Sequence, residues 1–176
     1  MYEQAPPPPP RRPRTGCWLT VIALALLALL IGGVAAIALY WAGEPNNIHV
    51  TVTPSQIRLS APEQVSFEVQ IQNIGLDPVT VTGIGLEPEL LAGARLLGSQ
   101  PAYRSITERS YPVYGEWQEF RLDTLLAPGA TLEVSFTLEG VQPGLYETDL
   151  TVWIESELLG VQVARAARTT LDVEVR

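Results

Sequence analysis

Between Trp18 and Trp41 the sequence carries no charged residue, and Leu19–Leu39 is a nearly unbroken apolar run. Coiled as a helix rising about 1.5 Å per residue, that run extends roughly 31 Å, which matches the hydrocarbon thickness of a bilayer. No other feature limits the possible folds as much. It predicts one membrane-spanning helix over residues 17–41 and leaves about 130 residues beyond it, enough for one domain of ordinary size.

Charge gives the crossing a direction. Arg11, Arg12 and Arg14 stand against Glu3 before the run, whereas 8 arginines stand against 18 acids after it, and lysine is absent. Beyond the run the first charge is Glu44 and the first basic residue is Arg58. By the positive-inside rule residues 1–16 are cytoplasmic, and the chain from about residue 44 lies outside the plasma membrane. The three arginines, with Trp18, Tyr40 and Trp41, are the expected membrane-interface residues. A cleaved signal peptide is the rival reading, with Ala36-Ile37-Ala38 as its cleavage site, although its apolar region would be shorter, about 7–15 residues. Cys17 precedes the run, whereas the acylated cysteine of a lipoprotein follows its signal. It is also the only cysteine, so no intrachain disulfide forms and the outer domain depends on its core.

The flanks complete this part of the chain. Pro6–Pro10 cannot donate backbone hydrogen bonds and favours an extended, disordered tail, or a ligand for a proline-recognising domain. On the helix, Ala28, Gly32 and Ala36, with Gly33 beside them, form a smooth stripe suited to close approach of another helix. The tether, residues 42–47, reaches at most about 20 Å, which keeps the outer domain near the membrane. The acidity of that domain repels nucleic acid and disfavours adhesion to anionic headgroups.

From Ile48 the apolar period becomes two. Ile48, Val50 and Val52 alternate with polar residues until Pro54, and Val65, Phe67, Val69 and Ile71 repeat the pattern. So do Leu132, Val134, Phe136 and Leu138, then Leu150, Val152 and Ile154, then Leu171, Val173 and Val175. Such alternation marks half-buried antiparallel strands. Turn chemistry falls between them at Asn73-Ile74-Gly75, Ala127-Pro128-Gly129 and Gln142-Pro143-Gly144. With Val79–Leu86, Trp117–Leu122 and Leu158–Val163 counted, about seven to nine strands are predicted, with one or two helical turns at most in Glu89–Leu97. The fold class is mainly β, a two-sheet sandwich over residues 48–176. Gly83-Ile84-Gly85 inside a strand pattern predicts a bulge.

The stretches VSFEVQIQNIGLDPVTVTGIGL (65–86) and LAPGATLEVSFTLEGVQPGLYETDLTVWIE (126–155) resemble bacterial and archaeal extracytoplasmic Ig-like domains of the CARDB type. Those domains share the Asn-x-Gly turn, the L-x-P-G turn and the P-G-x-Y strand opening. The resemblance covers about half of the outer domain and implies binding or assembly, not a reaction. Tyr146 is expected to bond back across its corner as a tyrosine corner does.

No reactive constellation emerges. His49 is the only histidine, at the edge of the first strand, so neither a triad nor a copper site of the two-His-one-Cys type can be assembled. Glu87/Glu89 and Glu155/Glu157 lack the clustered oxygen ligands of a calcium loop, and no phosphate-binding glycine loop follows a strand. The informative stretch is the excursion from Glu87 to Glu116, which breaks alternation. It carries Tyr103, Tyr111, Tyr114 and the adjoining Trp117 interleaved with Arg95, Arg104 and Arg109. Tyr, Trp and Arg are the types enriched at interface hot spots. Two readings are open: a docking surface, or a lid folded over the sandwich edge. Trp153 points away from the core by alternation, to be either a docking residue or covered by a neighbouring segment.

Together these features predict a non-catalytic, membrane-anchored accessory or assembly subunit. Its expected partners are the bilayer and membrane protein subunits, reached through helix and outer domain, with no cofactor, metal, nucleic acid or small-molecule substrate. The alternative is a cell-surface or envelope-binding module, which more often carries a long stalk or tandem repeats. An enzyme is the third and weakest reading.

Overall fold

A period of two becomes a ladder wherever one face of a strand can be buried, and the alternating segments all do so. The computed structural model describes residues 15–42, 45–111, 115–158 and 161–176, which fall into two units divided between Tyr40 and Trp41. The first unit holds all but the last two residues of α1 (Thr15–Ala42), whose segment Thr20–Ile37 is long and apolar enough to cross a membrane. Ala28, Gly32, Gly33 and Ala36 are exposed along it, as is Trp18. Tyr40 and Trp41 fall in its last turn. Arg11, Arg12 and Arg14, the proline tract and tether residues 43–44 lie outside the described residues.

The second unit runs β1 (Ile48–Thr53), β2 (Gln56–Leu59), β3 (Gln64–Asn73), β4 (Val79–Leu86), α2 (Pro88–Gly93), β5 (Ala94–Gln100), β6 (Ser105–Tyr111), β7 (Gly115–Leu126), β8 (Thr131–Gly140), β9 (Gly144–Leu158) and β10 (Val161–Val175). One sheet has the order β1-β3-β8-β5 and the other β2-β10-β9-β4-β7-β6. Every pair is antiparallel except β2 with β10. This is the Ig-like sandwich the alternation predicts. The inward residues interleave in one core, and its centre is a chain of rings. Phe67 stacks on its register partner Phe136 at 5.4 Å. Phe136 meets Phe120 of the opposite sheet edge-on at 6.1 Å, and Phe120 meets Tyr103 at 5.3 Å. Each such pair adds about 0.5–1.5 kcal/mol beyond its buried area.

Two turns close the sandwich chemically. Asn73 is fully buried; its Nδ2 donates to the carbonyls of Asp77 at 2.9 Å and Leu126 at 3.1 Å, and its Oδ1 accepts from Gly75 N–H at 2.9 Å. The side chain thus sutures the β3–β4 turn to the end of β7. The adjacent Ala127-Pro128-Gly129-Ala130 turn has Gly129 at φ +75° and a bond from Ala130 N–H to the Ala127 carbonyl at 3.0 Å. Proline followed by a glycine with positive φ is the signature of a type II turn.

Three details depart from the sequence reading. The described residues form ten strands. Leu158 and Val161 are register partners, so Leu158–Val163 is not a strand of its own but the place where β9 gives way to β10. The stretch Glu87–Glu116 is no irregular excursion: it supplies α2, β5, β6 and the start of β7. Its pattern is broken because the chain crosses from one sheet to the other there. A register shift between Leu96 and Gly98 also interrupts β5. The expected bulge is present as a register shift between Val81 and Gly83, opposite Asp123, which adopts φ +50°. The Asp123 carboxylate accepts from Arg121 Nη2 at 2.7 Å and raises the pKa of that guanidinium.

Candidate functional site: the open side between β5 and β6

β5 ends the four-stranded sheet and β6 ends the six-stranded sheet, so each has a ladder neighbour on one side only among the described strands. Between these two free edges the sandwich is open. A groove of about 560 Å³ there has Leu91, Leu96, Tyr103, Ile106, Phe120 and Val141 in its lining. It adjoins a second groove of about 510 Å³ that shares Leu91 and Gln118 and continues between α2 and β6, past Glu108, Ser110 and Glu116. Ile106 is 48% exposed and Val141 50% exposed. The floor is therefore the end of the ring chain described above, reached from solvent.

α2 is held rigidly beside this opening. The Glu87 carboxylate, just before it, accepts from Thr148 Oγ1 at 2.9 Å and from Asp149 N–H at 3.2 Å. At the other end the Gly93 carbonyl accepts from Val141 N–H at 3.0 Å and Gln142 N–H at 3.1 Å. The Tyr146 ring lies directly against Gly93, so close that any Cβ there would overlap it. Tyr146 Oη donates to the Gln142 carbonyl at 3.0 Å, the bond expected of a tyrosine corner.

The electrostatics of the opening are one-sided. Arg95 pairs with Glu139 at 2.7 Å and Arg109 with Glu119 at 2.8 Å. The two arginines in the lining are thus already neutralised, while Glu108 and Glu116 have no ion-pair partner within the described structure. Glu119 is only 2% exposed, so its carboxylate depends on Arg109 to offset its desolvation.

The aromatic and arginine residues singled out in the sequence do not form one surface. Tyr103 is half-buried in the groove wall against Phe120, and Arg104 is exposed at the entry to β6. Arg109 reaches Glu119 beside Trp117. Trp117 and Trp153 are corrected most: each is 2% exposed, so neither offers a docking surface. They form a small cluster with Ala166, separate from the main core. Gly85 makes room for it, since a Cβ there would meet Trp153 Nε1 at 3.0 Å and Trp117 Cε3 at 3.3 Å. Alternation correctly turned Trp153 away from the core but could not reveal this second cluster. Tyr111 ends β6; Tyr114 lies outside the described residues. Leu96, Ile106, Glu108 and Glu116 escaped the sequence reading, although Ile106, Glu108 and Ser110 already alternate with Thr107 and Arg109 within the seven residues of β6.

His49 is exposed on β1, and the described residues contain no group of three or more His, Cys, Asp or Glu side chains placed to hold a metal.

These features define a class, a mainly antiparallel Ig-like sandwich with one open side that follows an apolar N-terminal helix. No protein-family model matches the sequence, and no curated protein matches it. Among solved structures, the VesB protease of Vibrio cholerae is similar at 13% identity and TM-score 0.42, over 73% of this chain and 32% of that one. PapD-like domain 7 of human CEP192 is similar at 16% identity and TM-score 0.40, over 76% and 89%. AggA, the major subunit of Escherichia coli aggregative adherence fimbriae type I, is similar at 13% identity and TM-score 0.39, over 76% and 99%. This chain spans about a third of the length of the protease.

Proposed function

We propose that this protein is a non-catalytic accessory or assembly subunit, anchored in the plasma membrane by α1, whose extracytoplasmic sandwich docks on a membrane protein complex. The carrying observation is the open side between β5 and β6. An apolar groove with half-exposed Ile106 and Val141 on an otherwise strongly acidic domain is the kind of surface a partner covers. The full-span length of the apolar helix and the arginines before it support the anchored orientation. The exposed Ala28, Gly32 and Ala36 give that helix a face along which a second helix can pack closely. The resemblance to CARDB-type domains agrees with assembly in place of chemistry.

The test is purification of the tagged full chain from its native membranes in mild detergent. Stoichiometric membrane subunits are expected with the wild type and not with Ile106→Glu, a change on an exposed position. A lone monomer in both preparations refutes the proposal, and capture of isolated cell-wall polymer in its place would make the protein an envelope-binding module.

A further inference from the structure

We infer that the β6 edge accepts an extended peptide segment of the partner, whose groove-facing side chains, every second residue, are apolar at one end and lysine or arginine at the other. The inference rests on the docking role proposed above and names the chemistry that fills the groove. Three observations carry it. β6 presents seven residues of strand with one side unladdered, and an unpaired strand edge is a template for another strand. Its register with β7 places Ile106 opposite Phe120 and Glu108 opposite Gln118, on the groove side of the sheet. A strand added to β6 in continuation of the sheet therefore sends every second side chain into the groove.

The third observation is the charge along that path. At one end the incoming side chains meet Ile106, Leu96 and Tyr103, which are apolar or half-buried. At the other they meet Glu108 and Glu116, whose carboxylates no described cation engages, because the neighbouring arginines are bound to Glu119 and Glu139. Apolar contact at one end and uncompensated negative charge at the other select a cationic strand over an acidic one. The same acids repel a second copy of this chain, whose domain carries more than twice as many acids as arginines, so a foreign segment is favoured over self-pairing at this edge.

The experiment uses the full chain in phosphatidylcholine nanodiscs and three synthetic eight-residue peptides. In one, every second residue runs valine, valine, lysine, lysine with threonine between them; in one, glutamate replaces both lysines; and one is the valine–lysine peptide with a central threonine replaced by proline. Hydrogen exchange is followed residue by residue. The valine–lysine peptide is expected to slow exchange within residues 105–111, and to bind about tenfold more tightly than the glutamate peptide, the size expected from reversing two exposed charge contacts. The proline peptide gives no such protection, since proline lacks the N–H a ladder needs. Glu108→Lys/Glu116→Lys reverses the charge preference; both positions are exposed, and an unchanged circular dichroism melt verifies the fold. Equal binding of the lysine and glutamate peptides overturns the inference. So does protection confined to other strands, or protection by the proline peptide equal to that of its parent. Failure of the docking role is separable: if subunits co-purify equally with wild type and with Glu108→Lys/Glu116→Lys while β6 gains no protection, docking stands and the strand-addition inference falls.

Discussion

Replacing Asn73 by alanine is the most severe test of how this sandwich is held closed. The side chain has no exposure and makes three hydrogen bonds, two donated and one accepted. A buried hydrogen bond contributes about 1 kcal/mol net, and a buried polar group left without its partner costs about 1–3 kcal/mol. Leu126 is itself buried, so its carbonyl has little access to water once Nδ2 is gone. The expected loss is roughly 3 kcal/mol, or a fall of about 10 °C in Tm for a domain of this size. Urea denaturation of the full chain in detergent micelles measures it, with fluorescence of the buried Trp117 and Trp153 following the sandwich. Asn73→Asp sharpens the test. It keeps the acceptor for Gly75 N–H but turns a carboxylate oxygen toward two carbonyls, so at neutral pH it should cost at least as much as alanine despite its nearly identical shape. An alanine variant within about 1 kcal/mol of wild type, or an aspartate variant milder than alanine, would refute the assignment of Asn73 as the suture.

Two further outcomes follow from particular contacts. Gly93→Ala should cost about 2 kcal/mol or more because its methyl group overlaps the Tyr146 ring. In a Tyr146→Ala background most of that cost should vanish; additive losses by urea denaturation would show the overlap is relieved elsewhere. The Glu174 carboxyl is held below its ordinary value, chiefly by the hydrogen bond from Arg176 Nε at 2.9 Å, with Arg58 adding its charge. A lowered carboxylate value means the contribution is present at neutral pH and disappears as pH falls through the folded-state midpoint. Carboxyl NMR should place that midpoint below the ordinary glutamate value and show it rise in Arg176→Ala; an unmoved midpoint contradicts the assignment.

How much could be read in advance depended on what each pattern records. Val65–Ile71 and Leu132–Leu138 were legible because each strand buries most of one face, leaving only Val65 and Leu132 partly exposed, and burial is what alternation encodes. The Asn-x-Gly and Pro-Gly turns were legible because glycine and proline carry their backbone angles with them. Asn73 shows the limit: its turn could be recognised, but its bond to Leu126 joins positions 53 residues apart and leaves no local trace. Ile106 and Leu96 shape the groove through the meeting of two sheet edges, and β5 is interrupted by its register shift. Trp153 illustrates the converse error, since a side chain that leaves one core can enter another.

The parallel pairing of Gln56–Leu59 with Asp172–Val175 has a consequence for biosynthesis. Gln56 and its partner Asp172 are 116 positions apart, and chains leave the ribosome amino end first. β2 therefore emerges without its mate and waits, unladdered, while the rest of the domain is still being made. Closing so distant a contact is slow, and an orphaned strand invites association with other nascent chains in the interval. Synthesis arrested before residue 172 would leave that margin permanently unzipped, an exposed seam for quality-control proteases to recognise.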